Sequence, residues 1–134
     1  MNQAKPYPVY RPGVPFDTEE RCTIQEWLNT DEDSAASVAF CTVAPGETTQ
    51  LHKLPVTERY LIQAGAGLLE LNQEDTQAVE AGDCVVIPAN TPQRIKVTSS
   101  EDLVFLCVCT PRFEPHHYIN LETADTQPIE DSDR

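Results

Sequence analysis

The stretch GETTQLHKLPVTERYLIQAGAG, residues 46–67, decides how this chain is read. It holds two short β-prone segments, QLHKL (50–54) and ERYLIQA (58–64), parted by Pro55 and closed by Gly65-Ala66-Gly67. Side chains alternate along a strand, so Gln50, His52 and Leu54 share one face, and Glu58, Tyr60 and Ile62 share another. His52 and Glu58 therefore form the outline of a metal site or an acid–base pair. A second histidine would fall naturally two residues after the first, on the same face; Leu54 stands there instead.

Outward from this stretch the chain keeps the same texture. RCTIQEWLN (21–29), SVAFCTV (37–43), LLELN (68–72), TQAVE (76–80), DCVVIP (83–88), QRIKV (93–97) and LVFLCVC (103–109) have strand character and are separated by turn-forming residues. With the first two segments this gives nine short strands, which predicts an all-β sandwich or barrel of antiparallel strands. The one helical candidate is a turn near 119–124. LVFLCVC is apolar on both faces: Leu103, Phe105, Cys107 and Cys109 point one way, Val104, Leu106 and Val108 the other. Its outer face needs a cover; another sheet layer, the N-terminal arm or a second subunit would serve, and a homodimer is the expectation. Cys107 and Cys109 lie side by side on their face, as core-filling side chains or as a thiolate pair.

The chain has 134 residues, enough for one domain. Residues 1–19 read as an extended, proline-rich arm, 20–113 as the domain, and 114–134 as a C-terminal extension ending in an acidic, frayed tail. Nine Lys and Arg against 22 Asp and Glu give a formal charge of -13. Such a surface excludes nucleic acid as a natural partner and disfavours anionic membranes. No apolar run approaches the roughly 20 residues of a membrane span, and prolines interrupt the N-terminus where a signal peptide needs an apolar core. Five cysteines without framework spacing agree with a reducing compartment, so a cytoplasmic location is expected.

The spacing of glycine, histidine and glutamate resembles the cupin superfamily, whose first motif runs G-x5-H-x-H-x3,4-E-x6-G. Gly46, His52, Glu58 and Gly65 fit it, and Leu54 does not. In the second motif, G-x5-P-x-G-x2-H-x3-N, Gly82 and Pro88 fit, while Asn90, Gln93 and Val97 stand in place of glycine, histidine and asparagine. The resemblance covers roughly residues 20–113. It implies a double-stranded β-helix, a jelly-roll barrel of two antiparallel sheets.

It also implies a small-molecule pocket inside the barrel, into which His52, Glu58 and Gln93 converge with Leu54 closing a fourth direction. A divalent ion (Zn, Fe, Mn or Ni) would be held there by His52, Glu58 and Gln93, the glutamine carbonyl being the weaker ligand. As an enzyme, the chain would be a metal-assisted dioxygenase, lyase or isomerase on a small polar substrate. His52, Glu58 and Tyr60 would be its catalytic groups, and Gln50, Leu54, Gln93 and Phe105 would contact substrate. A non-catalytic protein that binds or senses a small ligand without metal is the alternative. Without a pocket role, Glu58 would pair with Arg59, Arg94 or Lys53. His116 and His117 are adjacent, and in an extended chain they would point apart and fail to chelate one ion.

Overall fold

In the computed structural model, which describes residues 7–130, each of the nine predicted segments contains a strand. They are β2 (Thr23–Leu28), β3 (Ser37–Val43), β4 (His52–Lys53), β5 (Thr57–Ala64), β6 (Ala66–Leu71), β7 (Asp75–Glu80), β8 (Cys84–Ile87), β9 (Gln93–Val97) and β10 (Leu103–Thr110). Two further pairs of residues extend the sheets, β1 (Phe16–Asp17) before them and β11 (Ile119–Asn120) after them. The strands form one sheet in the order β1-β2-β3-β10-β5-β8 and another in the order β11-β4-β9-β6-β7, every pairing antiparallel. Neighbours in sequence often lie in different sheets, as a jelly roll requires.

The predicted turn near 119–124 is displaced. A single 3-10 turn forms at Pro115–His117, because proline supplies a helical φ at the first position. Ile119 and Asn120 instead pair with Lys53 and His52. The tail is also less frayed than its composition suggests over its described part. Gln127 gives its carbonyl to Arg94 at 2.5 Å, and Ile129 is buried. Residues 1–6 of the arm and 131–134 of the tail lie outside the described residues.

Two motif positions show their physical purpose. Gly65, between β5 and β6, has φ of 80°, and a Cβ there would come within 2.4 Å of the Asp102 carbonyl oxygen. Only glycine fits. Asn90, standing where the cupin motif has glycine, takes φ of 65°, a left-handed conformation asparagine tolerates better than most residues. The letter differs and the turn survives.

Between the sheets, Val43, Ile62, Leu69, Ile87, Ile95, Leu103 and Phe105 make the main apolar core. A smaller cluster of Leu54, Val56 and Cys109 packs with Phe113 and Tyr118. On the opposite face of the first sheet, Phe40, Leu106 and Leu61 lie abreast across β3, β10 and β5, and Trp27 stacks on Phe40 at 5.6 Å. Arg94 and Glu70, both buried on adjacent strands, form a two-pronged ion pair at 2.8 and 3.1 Å.

Candidate functional site

Strand parity places the polar residues of the barrel interior. Glu58 and Tyr60 alternate inward from β5, opposite Cys109 and Cys107 of β10. From the other sheet, β4 and β9 pair His52 with Gln93. Of these side chains, Gln93 meets Glu58 and Tyr60 in the interior. The Gln93 amide nitrogen donates to Glu58 Oε1, while the Tyr60 hydroxyl donates to Gln93 Oε1 at 2.7 Å. Cys107 Sγ donates to Glu58 Oε2 at 3.1 Å, and Cys109 Sγ lies 3.9 Å from the same oxygen. The carboxylate is thus satisfied by neutral donors. Arg59 bonds Thr110 and Arg94 pairs with Glu70, so neither serves Glu58.

Beside this network is a cavity of about 430 Å³. His52, Leu54, Glu58, Tyr60 and Phe105 all line it, together with Cys107 and Cys109. Gln93 and Gln50 are absent from its wall. Gln93 stands behind Glu58 and Tyr60, and the Gln50 side chain accepts the Tyr118 hydroxyl at 2.8 Å. The expected three-way convergence of His52, Glu58 and Gln93 is therefore only partial: Glu58 and Gln93 touch, and the His52 ring is held elsewhere. Its Nδ1 lies 2.6 Å from the Gln50 carbonyl oxygen, and its face stacks on Tyr118, ring centres 4.8 Å apart. A carbonyl only accepts, so Nδ1 carries the proton and Nε2 holds the lone pair of the neutral ring.

Glu20 and Tyr118 are among the wall residues that sequence reading missed. Neither lies in a periodic segment or a motif. The Glu20 carboxyl is pushed upward by burial, against the pull of His52, with Glu58 adding to the rise. Burial raises the Tyr60 hydroxyl well above the phenol range, and the nearby Glu58 carboxylate adds to it. The Cys107 thiol is raised first by its hydrogen bond to Cys109 and then by burial.

The four positions at which a cupin usually binds its metal carry His52, Leu54, Glu58 and Gln93 here. Leucine has no donor atom, and the Gln93 carbonyl oxygen is already engaged by Tyr60. These residues do not fit that four-ligand set. His116 and His117 correct a second expectation. The 3-10 turn brings their rings to 4.5 Å, and with Glu114 their ligand atoms lie within 4.8 Å of one another.

The Cupin domain family model matches residues 39–109, more than half of the chain. This chain is a cupin. The uncharacterized protein MJ1618 of Methanocaldococcus jannaschii is 33% identical over 102 residues, which covers 74% of this chain and 81% of its own length. Among solved structures, the nucleoside dehydratase Pac13 of Streptomyces superposes with a TM-score of 0.70 at 18% identity, covering 89% of this cupin and 92% of that chain. Oxalate decarboxylase of Bacillus subtilis gives 0.70 at 18% identity, with 84% of this cupin matched to 30% of that longer chain. At such identities these two likenesses show the fold. Among the described residues of this cupin, no helix is long and apolar enough to cross a membrane.

Proposed function

We propose that this cupin binds a compact, uncharged polar molecule inside its barrel and moves a proton on it, in a lyase or isomerase reaction. The observation that carries this reading is the composition of the cavity wall. An imidazole with Nε2 as its basic nitrogen and a carboxyl raised by burial, His52 and Glu20, face one cavity of about 430 Å³. That volume suits a small ligand. An imidazole and an acid of raised pKa are suited to taking a proton at one atom and returning it at another.

His52 is the base in this reading, oriented by Gln50 and by the Tyr118 ring. Glu20 is the acid. Leu54 and Phe105 supply apolar contact, and Gln50 and Gln93 act from behind the wall as positioning residues. Glu26 and Glu58 on the wall disfavour phosphorylated or carboxylated ligands. The proton-transfer reading needs no dioxygen chemistry, and no step here is routed through a metal at His52.

The test starts with uncharged ligands. Uridine is the first probe, because variants of the Streptomyces dehydratase were solved with it. Neutral sugars and nucleosides follow, each screened by thermal shift. A ligand that binds is then incubated in D₂O with the protein, and its carbon-bound hydrogens are followed by NMR. Exchange that is lost in His52→Gln while binding persists supports the reading. Binding without exchange in the parent overturns the enzyme and leaves a ligand-binding cupin, which the largely apolar wall around Leu54, Phe105 and Phe113 favours as the second reading.

A further inference from the structure

Outside the motif positions, the barrel interior holds a second set of ligand atoms. Cys107 and Cys109 are two residues apart on β10, so their side chains share a face, and the register sets Glu58 directly across from Cys109. The Sγ atoms are 4.0 Å apart, and Glu58 Oε2 lies 3.1 and 3.9 Å from them. For zinc, with bonds of about 2.3 Å to sulfur and about 2.0–2.2 Å to oxygen, tetrahedral angles space such atoms roughly 3.5–3.8 Å apart. The three observed separations straddle that range.

We propose that Glu58, Cys107 and Cys109 form a zinc site in the cavity wall, replacing the histidine-rich site of other cupins. The carboxylate already has a ligand's orientation, since Gln93 holds Oε1 and leaves Oε2 toward the two sulfurs. That division favours a monodentate ligand, and Gln93 is the positioning residue behind it. Two thiolates select zinc over magnesium, calcium or manganese. All three residues line the cavity, so the fourth coordination position opens toward bound water or ligand. Uptake displaces the two thiol protons to solvent and leaves the sulfurs as thiolates, with no change in oxidation state. The site stands independently of His52 as a base, since His52 supplies no ligand to it.

Tag-free protein, kept reduced, is loaded with zinc, dialysed and measured by elemental mass spectrometry; a second sample is loaded with Co²⁺ and its absorption recorded. One zinc per chain is expected, with the intense charge-transfer absorption of Co²⁺–thiolate bonds. Cys107→Ser and Cys109→Ser should each reduce zinc to a small fraction of parent content, and Gln93→Leu should weaken binding on the order of 10- to 100-fold. His52→Ala and His116→Ala should keep it. Loss of zinc in His52→Ala with retention in both cysteine variants would overturn the proposal in favour of a motif-type site. Zinc-free parent protein, or Co²⁺ bound without thiolate absorption, overturns it too. The Co²⁺ spectrum of the parent decides the matter even where a variant fails to fold. Neither readout depends on substrate, so failure here and failure of the proton-transfer reading are told apart.

Discussion

Gln93 of β9 donates its amide hydrogen to Glu58 of β5, a side-chain contact that joins the two sheets across the barrel interior. The same amide accepts the Tyr60 hydroxyl. Gln93→Leu keeps the approximate volume and removes both bonds, leaving two buried polar groups short of a partner. A loss of about 1–3 kcal/mol in urea unfolding is expected. Unchanged stability would mean that Glu58 and Tyr60 find other partners.

The double substitution Leu54→His with Gln93→His rebuilds the motif set around His52 and Glu58. Mn²⁺ is the appropriate probe, because soft sulfur ligands such as Cys107 and Cys109 disfavour it. Calorimetry should detect Mn²⁺ binding in the double variant and none in the parent. Without metal the variant should be less stable by about 1–3 kcal/mol, from an imidazole replacing the apolar side chain at residue 54 and from the loss of the Gln93 bonds to Glu58 and Tyr60. Equal Mn²⁺ affinity in parent and variant would show that the two lost positions are not what sets metal choice.

Arg94 and Glu70 carry a different burden. Removing one partner of a buried ion pair strands the other charge, and Arg94→Met should cost on the order of 3–5 kcal/mol. It also frees the Gln127 carbonyl. Limited proteolysis should therefore cut the variant near residues 125–130 earlier than the parent, and equal cutting would argue against the anchoring role.

Alkaline pH gives a signed expectation. Burial pushes the Cys22 thiol from 9.0 up to about 11, with Glu20 adding to the rise and the Thr18 hydroxyl opposing it; Cys41 faces it from β3. Between those values the unfolded chain gives up a proton that the native chain keeps, so stability falls as pH rises from about 9 to about 11. The loss from this group amounts to about 2–3 kcal/mol at most. Denaturation of the parent and Cys22→Ala across that window should show a shallower decline in the variant, and parallel curves would count against the assignment.

The row of Trp27, Phe40, Leu106 and Leu61 on the sheet face away from the cavity is where a second copy is expected to dock. Light scattering should give a dimer mass for the parent and a monomer mass for Leu106→Glu. A monomeric parent at its highest soluble concentration would dismiss the dimer.

How far the sequence could be read follows from which interactions are local. Strand parity and turn chemistry are local, so the nine segments and the inward faces of His52, Glu58, Tyr60 and Phe105 were legible. Parity says which way a side chain points and not how far it reaches. Gln93 is taken up by Glu58 and Tyr60, and Gln50 by Tyr118, and neither glutamine lines the cavity. Glu20 and Tyr118 reach the wall from segments with no period, through contacts such as the Glu20 carbonyl with Gln50 and Tyr118 with His52. Nothing in one sequence marks such long-range contacts. Cys107 and Cys109 were visible as a pair, but their nearness to Glu58 depends on the register between β5 and β10.

Tyr118 follows the last long strand, beyond the span that makes this chain a cupin, and still lies flat against the His52 ring. The interior thus has two origins: barrel strands furnish the imidazole and the Glu58 carboxylate, and a trailing segment furnishes the ring the imidazole leans on. The two can change at different rates, because a trailing segment tolerates insertions and replacements that a strand in mid-sheet does not. New ligand preferences can arise from edits downstream of residue 113 while the barrel stays untouched.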